Sequence, residues 1–438
     1  MKRIKPNFKN IVLTVSYGNY ACGKGGTDKV IKAHQEMLNK KDTSVLHLFR
    51  AYTIGEKIKI RRNDVWNVLV DGKQCGLYST KELLQELYIL NNKGFCIRDI
   101  FIHHLNNIVI KELGYILQSL STHIYFYLHD YYTICCSSGL IDAQGVFCGV
   151  EGPDKYKCEY CESFNPSMMV RLGEIRSLFD TIKDRVTFVA PSDIAKNIWL
   201  KTYPQYTENI IVIYHQKFSG NYKDNKELKE KEQPLNIAFV GYQRPLKGWN
   251  IWHDAVKEIY NDVNYKFFQM GTTNVHEKYI KEIEVDFKKN LNSMVMQLRN
   301  NHIDVAVLWS LWPETYSYTL YEAMASNAFI LTNYKSGNIA YQVKIRENGI
   351  VAADINGLKD ILLDENRLRE KVNQFKLKEA YGPLQLEEND MLLSLVNYEC
   401  RSNCKNISCG MVEHICVGIY NLVFNIYKSI KRKKNICI

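Results

Sequence analysis

Two glutamates lie eight positions apart at a predicted junction between a strand and a helix. Glu314 follows the apolar run 304–310, and Glu322 falls inside the helix-forming run that comes after Pro313. Such a junction leaves free backbone N–H groups at the carboxyl end of a strand, where α/β sheets bind phosphorylated ligands. Carboxylates before and inside the helix could hold hydroxyl groups on both sides of that phosphate. The pattern therefore predicts a sugar nucleotide as the ligand.

The same glutamates have an alternative interpretation. Thr319 and Glu322 have the spacing of a capping box, in which the glutamate only closes the start of the helix. Glu314 could likewise be a solvated loop residue. Motifs elsewhere in the chain favour ligand binding, because they too fall at the ends of predicted strands.

Three further motifs follow predicted strands. Gly25 and Gly26 belong to a glycine-rich loop after the first strand, where the backbone can approach a phosphate closely. His129 ends another strand and could bond a sugar hydroxyl or stabilise developing charge. Arg244 and Lys247 follow the first strand of the second half and could offset charge on a departing diphosphate. Taken alone, each motif has an alternative interpretation. The glycine loop also fits a tight turn, His129 a structural histidine, and Arg244 with Lys247 a pair of exposed basic residues.

Strands and helices alternate along most of the chain, which predicts parallel sheets covered by helices on both faces. Asp71 and Gly72 predict a hairpin turn inside this pattern. The fold class we expect is α/β, with two Rossmann-like doubly wound domains facing a cleft and a C-terminal amphipathic helix. The predicted boundaries are 1–217 for a first domain with a cysteine-rich insertion at 131–165, 218–234 for a linker, 235–380 for a second domain and 381–438 for a helical tail.

Composition narrows the class of partner. The chain has 438 residues, 46% of them hydrophobic, and a net charge of +10, which suits an anionic ligand or an anionic membrane surface. No zinc finger, RNP-type aromatic motif or arginine stripe supports nucleic acid binding. No apolar run reaches the length of a signal-peptide core or the ~18 residues of a bilayer span. We therefore expect a cytoplasmic protein.

The glutamate pair, the Arg244–Lys247 loop and His129 together resemble the retaining GT-B glycosyltransferases, and within them glycosyltransferase family four, over residues 10–380. The resemblance implies that Glu314 contacts the donor sugar and Glu322 the ribose. It also implies that Arg244 and Lys247 hold the diphosphate. His129 would lie beside the transferred sugar. The spacing between Arg244 and Lys247 is shorter than the family usually has.

The resemblance carries further expectations. His129 and Glu314 would be the catalytic residues, while Gly25, Gly26 and Thr319 would belong to the donor site with the two basic residues and Glu322. The donor would be a UDP- or GDP-linked sugar and the acceptor a glycan or lipid-linked glycan in surface polysaccharide or glycolipid synthesis. Transfer would retain the anomeric configuration without a catalytic cofactor or divalent ion. Alternatives are a GT-B sugar-nucleotide epimerase and a non-catalytic sugar-nucleotide or lipid-binding subunit of a polysaccharide assembly.

Four cysteines follow His129 closely, namely Cys135, Cys148, Cys158 and Cys161. Four thiolates from one short loop suit a tetrahedral structural zinc site. The stretch also looks like an insertion found in a subset of bacterial members of the family. Reduced buried cysteines or a redox pair are the alternatives.

The C-terminal segment has one apolar helical face followed by basic residues. The apolar face consists of Ile415, Ile419, Leu422, Val423, Ile426 and Ile430. This pattern predicts an amphipathic anchor on an anionic membrane surface, peripheral on the inner face. A helix packed on the first domain with a solvated basic tail is the alternative.

Overall fold

The computed structural model describes residues 3–23, 25–54, 58–142, 144–149, 153, 158, 161, 166–221, 228, 230–285, 293–378, 384–399 and 404–432. The first strands in chain order are β1 (Asn10–Val15), β2 (Thr43–Arg50), β3 (Thr53–Ile54), β4 (Ile58–Lys59), β5 (Val65–Val70), β6 (Lys73–Ser79), β7 (Cys96–Ile102), β8 (His123–Tyr127), β9 (Val186–Ala190) and β10 (Ile210–Val212). The helices between them are α1 (Gly26–Asn39), α2 (Thr80–Asn92), α3 (Ile110–Ser119), α4 (Pro166–Ile182) and α5 (Asp193–Thr202).

The first domain is built on one mixed sheet. Its described strands lie in the order β10-β9-β8-β7-β1-β2-β5-β6, and those from β10 to β2 are parallel. Strand β1 is buried along nearly its whole length, as expected for a parallel strand with helices on both faces. The predicted hairpin is confirmed: Asp71 and Gly72 both have positive φ between the antiparallel strands β5 and β6.

The second domain repeats this architecture. Its strands are β12 (Leu235–Val240), β13 (Tyr265–Met270), β14 (Ile280–Ile283), β15 (Val305–Val307), β16 (Phe329–Asn333) and β17 (Gly349–Ala352), after β11 (Gln216–Asn221) and before β18 (Leu384–Glu388). Its helices are α6 (Trp249–Ile259), α7 (Ser293–Asn300), α8 (Tyr318–Ala325), α9 (Asn338–Arg346), α10 (Leu358–Leu363) and α11 (Glu365–Leu377). Within the described residues, the sheet order is β14-β13-β12-β15-β16-β17 with every pairing parallel.

The structure differs from the predicted linker at its first residues. Strand β11 includes 218–221 and pairs antiparallel with β18, which lies in the predicted helical tail. Phe218 packs against Tyr321 at a ring-centroid distance of 5.9 Å. The sequence of β11 is largely polar, because a two-stranded ribbon outside both main sheets needs few apolar residues. The rest of 218–234 lies partly outside the described residues.

After β18 the chain returns to the first domain. Helix α12 (Met391–Leu395) buries Leu392 in a cluster that includes Val12 and Val45 of the first sheet. Helix α13 (Met411–Arg432) then lies against β6, the edge strand of that sheet. Among the described residues, no helix combines the length and apolarity needed to cross a bilayer.

Helix α13 has a docked face and an open face. On the docked face, Val417 and Phe424 are buried, and the Asn421 amide both accepts from the Leu77 N–H at 2.9 Å and donates to its carbonyl at 2.7 Å. Asn421 therefore satisfies backbone groups of an otherwise open sheet edge.

The open face carries most of the predicted apolar stripe. Ile415, Ile419, Leu422 and Ile426 are each more than half exposed. Val423 instead lies partly buried against the cluster around Phe424, and the side chain of Ile430 lies outside the described residues. The helix thus packs on the first domain and still presents apolar side chains outward.

Docking of α13 predicts unequal effects of two neighbouring truncations. Phe424→Ala should lower the free energy of unfolding by about 3 kcal/mol, because it removes a buried ring and leaves a cavity. Leu422→Ala is the matched control and should change it by less than ~0.5 kcal/mol, since that side chain is mostly exposed. Urea unfolding and hydrogen exchange of the α13 amides measure both. Equal effects would show that the helix does not dock through Phe424.

Candidate functional site

A cavity of about 400 Å³ lies between the two domains. The first domain contributes the start of α1, with Gly26 and Thr27, and His129, which lies two residues after β8. The second domain contributes the loops that follow β12 and β15, with Lys247 and Glu314. Because β12 and β15 are parallel neighbours, their carboxyl ends meet at this edge of the sheet. The position is where doubly wound sheets bind ligands.

Glu314 is held in place through its backbone. Its carbonyl accepts from the Asn338 N–H at 2.9 Å, at the start of α9. Gly337 precedes that residue with φ of +62°, and a Cβ there would lie 2.6 Å from the Glu314 nitrogen. Only glycine allows the two segments to approach this closely. The loop before α9 therefore fixes the position of the Glu314 backbone, from which the carboxylate extends.

The Glu314 carboxylate is buried and charge-compensated. The Lys247 ammonium donates to Oε1, and the Ser310 hydroxyl donates to the same oxygen at 2.9 Å. Glu314 is 5% exposed, which excludes the alternative that it is a solvated loop residue. The Lys247 side chain keeps more than a third of its surface open, and both residues line the cavity. A ligand at this position would meet the cation and the carboxylate together.

Lys247 is positioned by a close packing contact. It ends a short 3₁₀ turn, Pro245–Lys247, and Gly248 follows with φ of +82°. A Cβ at Gly248 would lie 2.3 Å from the carbonyl oxygen of Trp309, two residues after β15. The turn after β12 therefore lies directly on the loop after β15, which brings the lysine to Glu314.

Helix α8 begins at the cavity without a side-chain cap. Ser317, the residue before it, has φ of +70° and makes no capping hydrogen bond to the helix. Ser317, Tyr318 and Thr319 all line the cavity. An uncapped helix N-terminus favours an anion, because its first N–H groups lack partners within the helix. Positive φ at a residue other than glycine costs about 1–3 kcal/mol and often marks a functional site.

The capping-box interpretation of Glu322 is wrong. Thr319 is the second residue of α8 rather than the residue before it, so it cannot act as the cap. Glu322 is instead 2% exposed, and its Oε1 lies 3.3 Å from the Lys29 ammonium of α1. Its Oε2 is buried and finds no hydrogen-bond partner among the described residues. Burial raises the pKa of Glu322, and Lys29 opposes that shift.

His129 belongs to a stack of aromatic rings inside the first domain. Its Nε2 lies 3.0 Å from His103 Nδ1, and the two rings are nearly parallel, at 11°. Burial, reinforced by His215 and His104, holds the pKa of His129 well below its usual range. Burial also holds the pKa of His103 well below its usual range. Both rings are therefore neutral at neutral pH, and one of them donates to the other.

The tautomer of this pair follows from the far nitrogen of His103. His103 Nε2 is buried without a partner among the described residues. Buried unpaired N–H donors are rarer than unpaired acceptors, which favours a bare nitrogen there and a proton on His103 Nδ1. His129 then carries its own proton on Nδ1 and can donate a hydrogen bond to a ligand.

The domains also touch at the floor of the cavity. The Thr315 hydroxyl donates to the His129 carbonyl at 2.6 Å, and the Ser192 hydroxyl donates to the Thr315 carbonyl at the same distance. The sequence motifs did not include Lys29, His103, Ser310 or Thr315. The position of Lys29 one turn into the helix after the glycine loop was a usable signal, as was the position of His103 directly after the apolar residues 100–102.

The structure brings most predicted site residues together and leaves two apart. Those lining the cavity are Gly26, His129, Lys247, Glu314 and Thr319, with Glu322 buried on α8. Gly25 lies beside it but turns its N–H to the Asp28 carboxylate at 2.9 Å. Arg244 is exposed, with its guanidinium 5.6 Å from the Tyr242 ring centre, and is not among the cavity-lining residues.

The four cysteines proposed for zinc do not converge here. Within the described residues, no three of Cys135, Cys148, Cys158 and Cys161 bring their sulfur atoms within 4.8 Å of one another. Cys135 instead lies 3.1 Å from the Ser137 hydroxyl. Much of the stretch around Cys158 and Cys161 lies outside the described residues. Zinc binding by this insertion stays a prediction.

No family model and no curated protein matches the sequence. Among solved structures, sucrose-phosphate synthase from Thermosynechococcus elongatus aligns with a TM-score of 0.50 at 11% identity, over 96% of this chain and 100% of that one. HepE of Anabaena in complex with UDP-glucose gives 0.47 at 12% identity, over 84% and 92%. At such identity the likeness to the synthase bears on fold alone. It confirms two Rossmann-like domains facing a cleft, the GT-B arrangement.

Proposed function

We propose that this chain is a glycosyltransferase that moves a sugar from a nucleotide-sugar donor to a glycan or lipid-linked acceptor, with retention of configuration. The observation that carries the proposal is the Lys247–Glu314 pair in a cavity that also receives the uncapped start of α8. A diphosphate needs cations and N–H donors, and a sugar needs a carboxylate that accepts from its hydroxyls. This cavity offers both within one small volume.

The donor would lie across the start of α8. Its diphosphate would meet the helix N-terminus and the Lys247 ammonium, which stabilise negative charge. The ribose would then point toward the free oxygen of Glu322. The transferred sugar would lie between Glu314 and His129, and the Nδ1–H of His129 could donate to one of its hydroxyls. Retention and membership of glycosyltransferase family four are supported by the sequence resemblance of these residues.

The proposed step breaks the bond between the anomeric carbon and the diphosphate oxygen. The bonding electron pair goes to that oxygen, where Lys247 and the α8 N-terminus offset the new charge. The acceptor hydroxyl attacks the oxocarbenium-like carbon on the face that the diphosphate leaves, and its proton passes to the departing phosphate. Glu314 stabilises the positive charge on the sugar ring, because its carboxylate is fixed by Ser310 and Lys247.

Two substitutions test the assignment of Lys247 and Glu314. Lys247→Met and Glu314→Gln should each lower kcat/KM by about 100-fold or more, as loss of a preorganised charge does elsewhere. Arg244→Ala is the matched control from the same loop and should retain most activity, since its side chain is exposed and does not line the cavity. Product analysis with a panel of nucleotide sugars and acceptors gives the rates.

Circular dichroism and thermal melting establish that each of these variants is folded. A folded Lys247→Met protein with full activity would refute the proposed site. A wild-type protein that interconverts free nucleotide sugars without making a glycosidic bond would favour the epimerase. Donor binding without turnover of any acceptor would favour a non-catalytic subunit.

The hydrogen bond between His103 and His129 has its own test. His103→Phe should lower kcat by about tenfold with little change in donor KM, because one lost hydrogen bond is worth ~1 kcal/mol. His103→Asn should recover most of the rate, since its amide can donate from a position near Nδ1. Steady-state kinetics separate the two constants. Equal losses in both variants would point to packing rather than to orientation of His129.

We further propose that the protein works at an anionic membrane surface, on the inner face. The open face of α13 places four large apolar side chains in solvent, and Lys428, Lys431, Arg432, Lys433 and Lys434 follow in the sequence. Apolar side chains beside basic ones suit the boundary of an anionic lipid layer. A lipid-linked acceptor would be presented at the same surface.

If α13 contacts the membrane, negative charge introduced on its open face should weaken vesicle binding, whereas negative charge introduced elsewhere should not. The double variant Ile419→Asp and Leu422→Asp should remain folded and lose sedimentation with vesicles containing anionic lipid, because carboxylates repel that surface. Val263→Asp is the control, since Val263 is 85% exposed in the second domain. Unchanged binding of the double variant would show that α13 is not the contact.

A further inference from the structure

Three metal-ligating side chains of different types converge where the C-terminal segment meets the first domain. Glu82, Cys409 and His414 each direct one ligand atom to the same place, with all three atoms within 4.8 Å of one another. They come from α2, from the segment before α13 and from the first turn of α13. The site is unrelated to the cavity between the domains.

The two oxygens of the Glu82 carboxylate face different partners. Its Oε2 accepts from the Ser79 N–H at 3.0 Å and closes the start of α2. Its Oε1 faces His414 Nδ1 at 2.8 Å. Glu82 is 2% exposed, so an ionised carboxylate here needs positive charge nearby. A metal cation held between the three ligand atoms would supply that charge.

We propose that Glu82, Cys409 and His414 bind a structural zinc ion. Thiolate and imidazole together favour zinc over magnesium or calcium, which prefer oxygen ligands. Zinc binds carboxylate oxygen, imidazole nitrogen and thiolate sulfur at ~2.0–2.3 Å, so small side-chain rotations bring the three groups to bonding distance. The fourth position would be held by water or another side chain.

The ion would secure the beginning of α13. Farther along, Asn421 binds the edge of β6 and Phe424 enters the core. The first turn of α13 lacks a comparable apolar anchor among the described residues, since Met411 is 79% exposed and Ile415 57%. A zinc ion that bridges α2 and this turn would fix the beginning of α13, in addition to the contacts near its middle, and so fix the direction of the open apolar face.

The experiment measures zinc directly in the full-length protein. Wild-type protein purified without chelator, or reloaded with zinc chloride after chelation, should hold zinc that is lost in Cys409→Ser and His414→Ala. Glu82→Gln should bind more weakly, because the amide can still cap α2 but carries no charge. Cys416→Ser, on the same helix but outside the cluster, is the matched control and should keep its zinc.

Two further comparisons decide between explanations. A variant with serine at Cys158 and Cys161 shows whether any zinc belongs to the insertion instead. Chelation should lower the melting temperature of wild type and leave that of His414→Ala unchanged, since a ligand that binds only the folded state stabilises it. No zinc uptake after reloading would overturn the proposal, as would zinc content unaffected by Cys409→Ser and His414→Ala.

Discussion

The negative charge of a carboxylate buried at the floor of a cleft must be compensated by nearby cations and hydrogen-bond donors. The positions of Lys247 and Ser310 around Glu314 meet that requirement. An isolated ionised group away from water is costly unless it is paired and hydrogen-bonded. Lys247 and Ser310 both donate to one oxygen of Glu314, while the other side of the lysine stays open to the cavity. The pair is therefore set before any ligand arrives, and little reorganisation is left for the reaction.

Two glycines make this pair possible, and each does so by close approach rather than by flexibility. Gly337 lets the loop before α9 lie on the backbone of Glu314, and Gly248 lets the turn after β12 lie on the end of β15. Any side chain at either place would push the lysine and the glutamate apart. The placement of Lys247 and Glu314 thus depends on two glycines that have no functional groups in their side chains.

The sequence predicted features that depend on local pattern. Asp71 and Gly72 marked the hairpin because few other residues adopt two positive φ angles in succession. Residues after strands were recognised as site candidates because parallel strands share one carboxyl edge. Contacts that depend on distant parts of the chain were missed. Nothing near Lys29 indicates its pairing with Glu322, and nothing in 216–221 indicates a partner at 384–388.

The contacts between the domains explain how residues of both come to line one cavity. Lys29 of α1 reaches Glu322 of α8 and lies 4.0 Å above the Tyr318 ring, so the first domain touches the helix that would hold the ribose. In the loop before α8, the Thr315 hydroxyl donates a hydrogen bond to the backbone carbonyl of His129 in the first domain. Opening the cleft would break both contacts and would separate His129 from Glu314. A donor that fills the space between the domains strengthens the closed arrangement, because it contacts residues of both. The interdomain contacts of Lys29 and Thr315 therefore hold His129 and Glu314 on the same cavity.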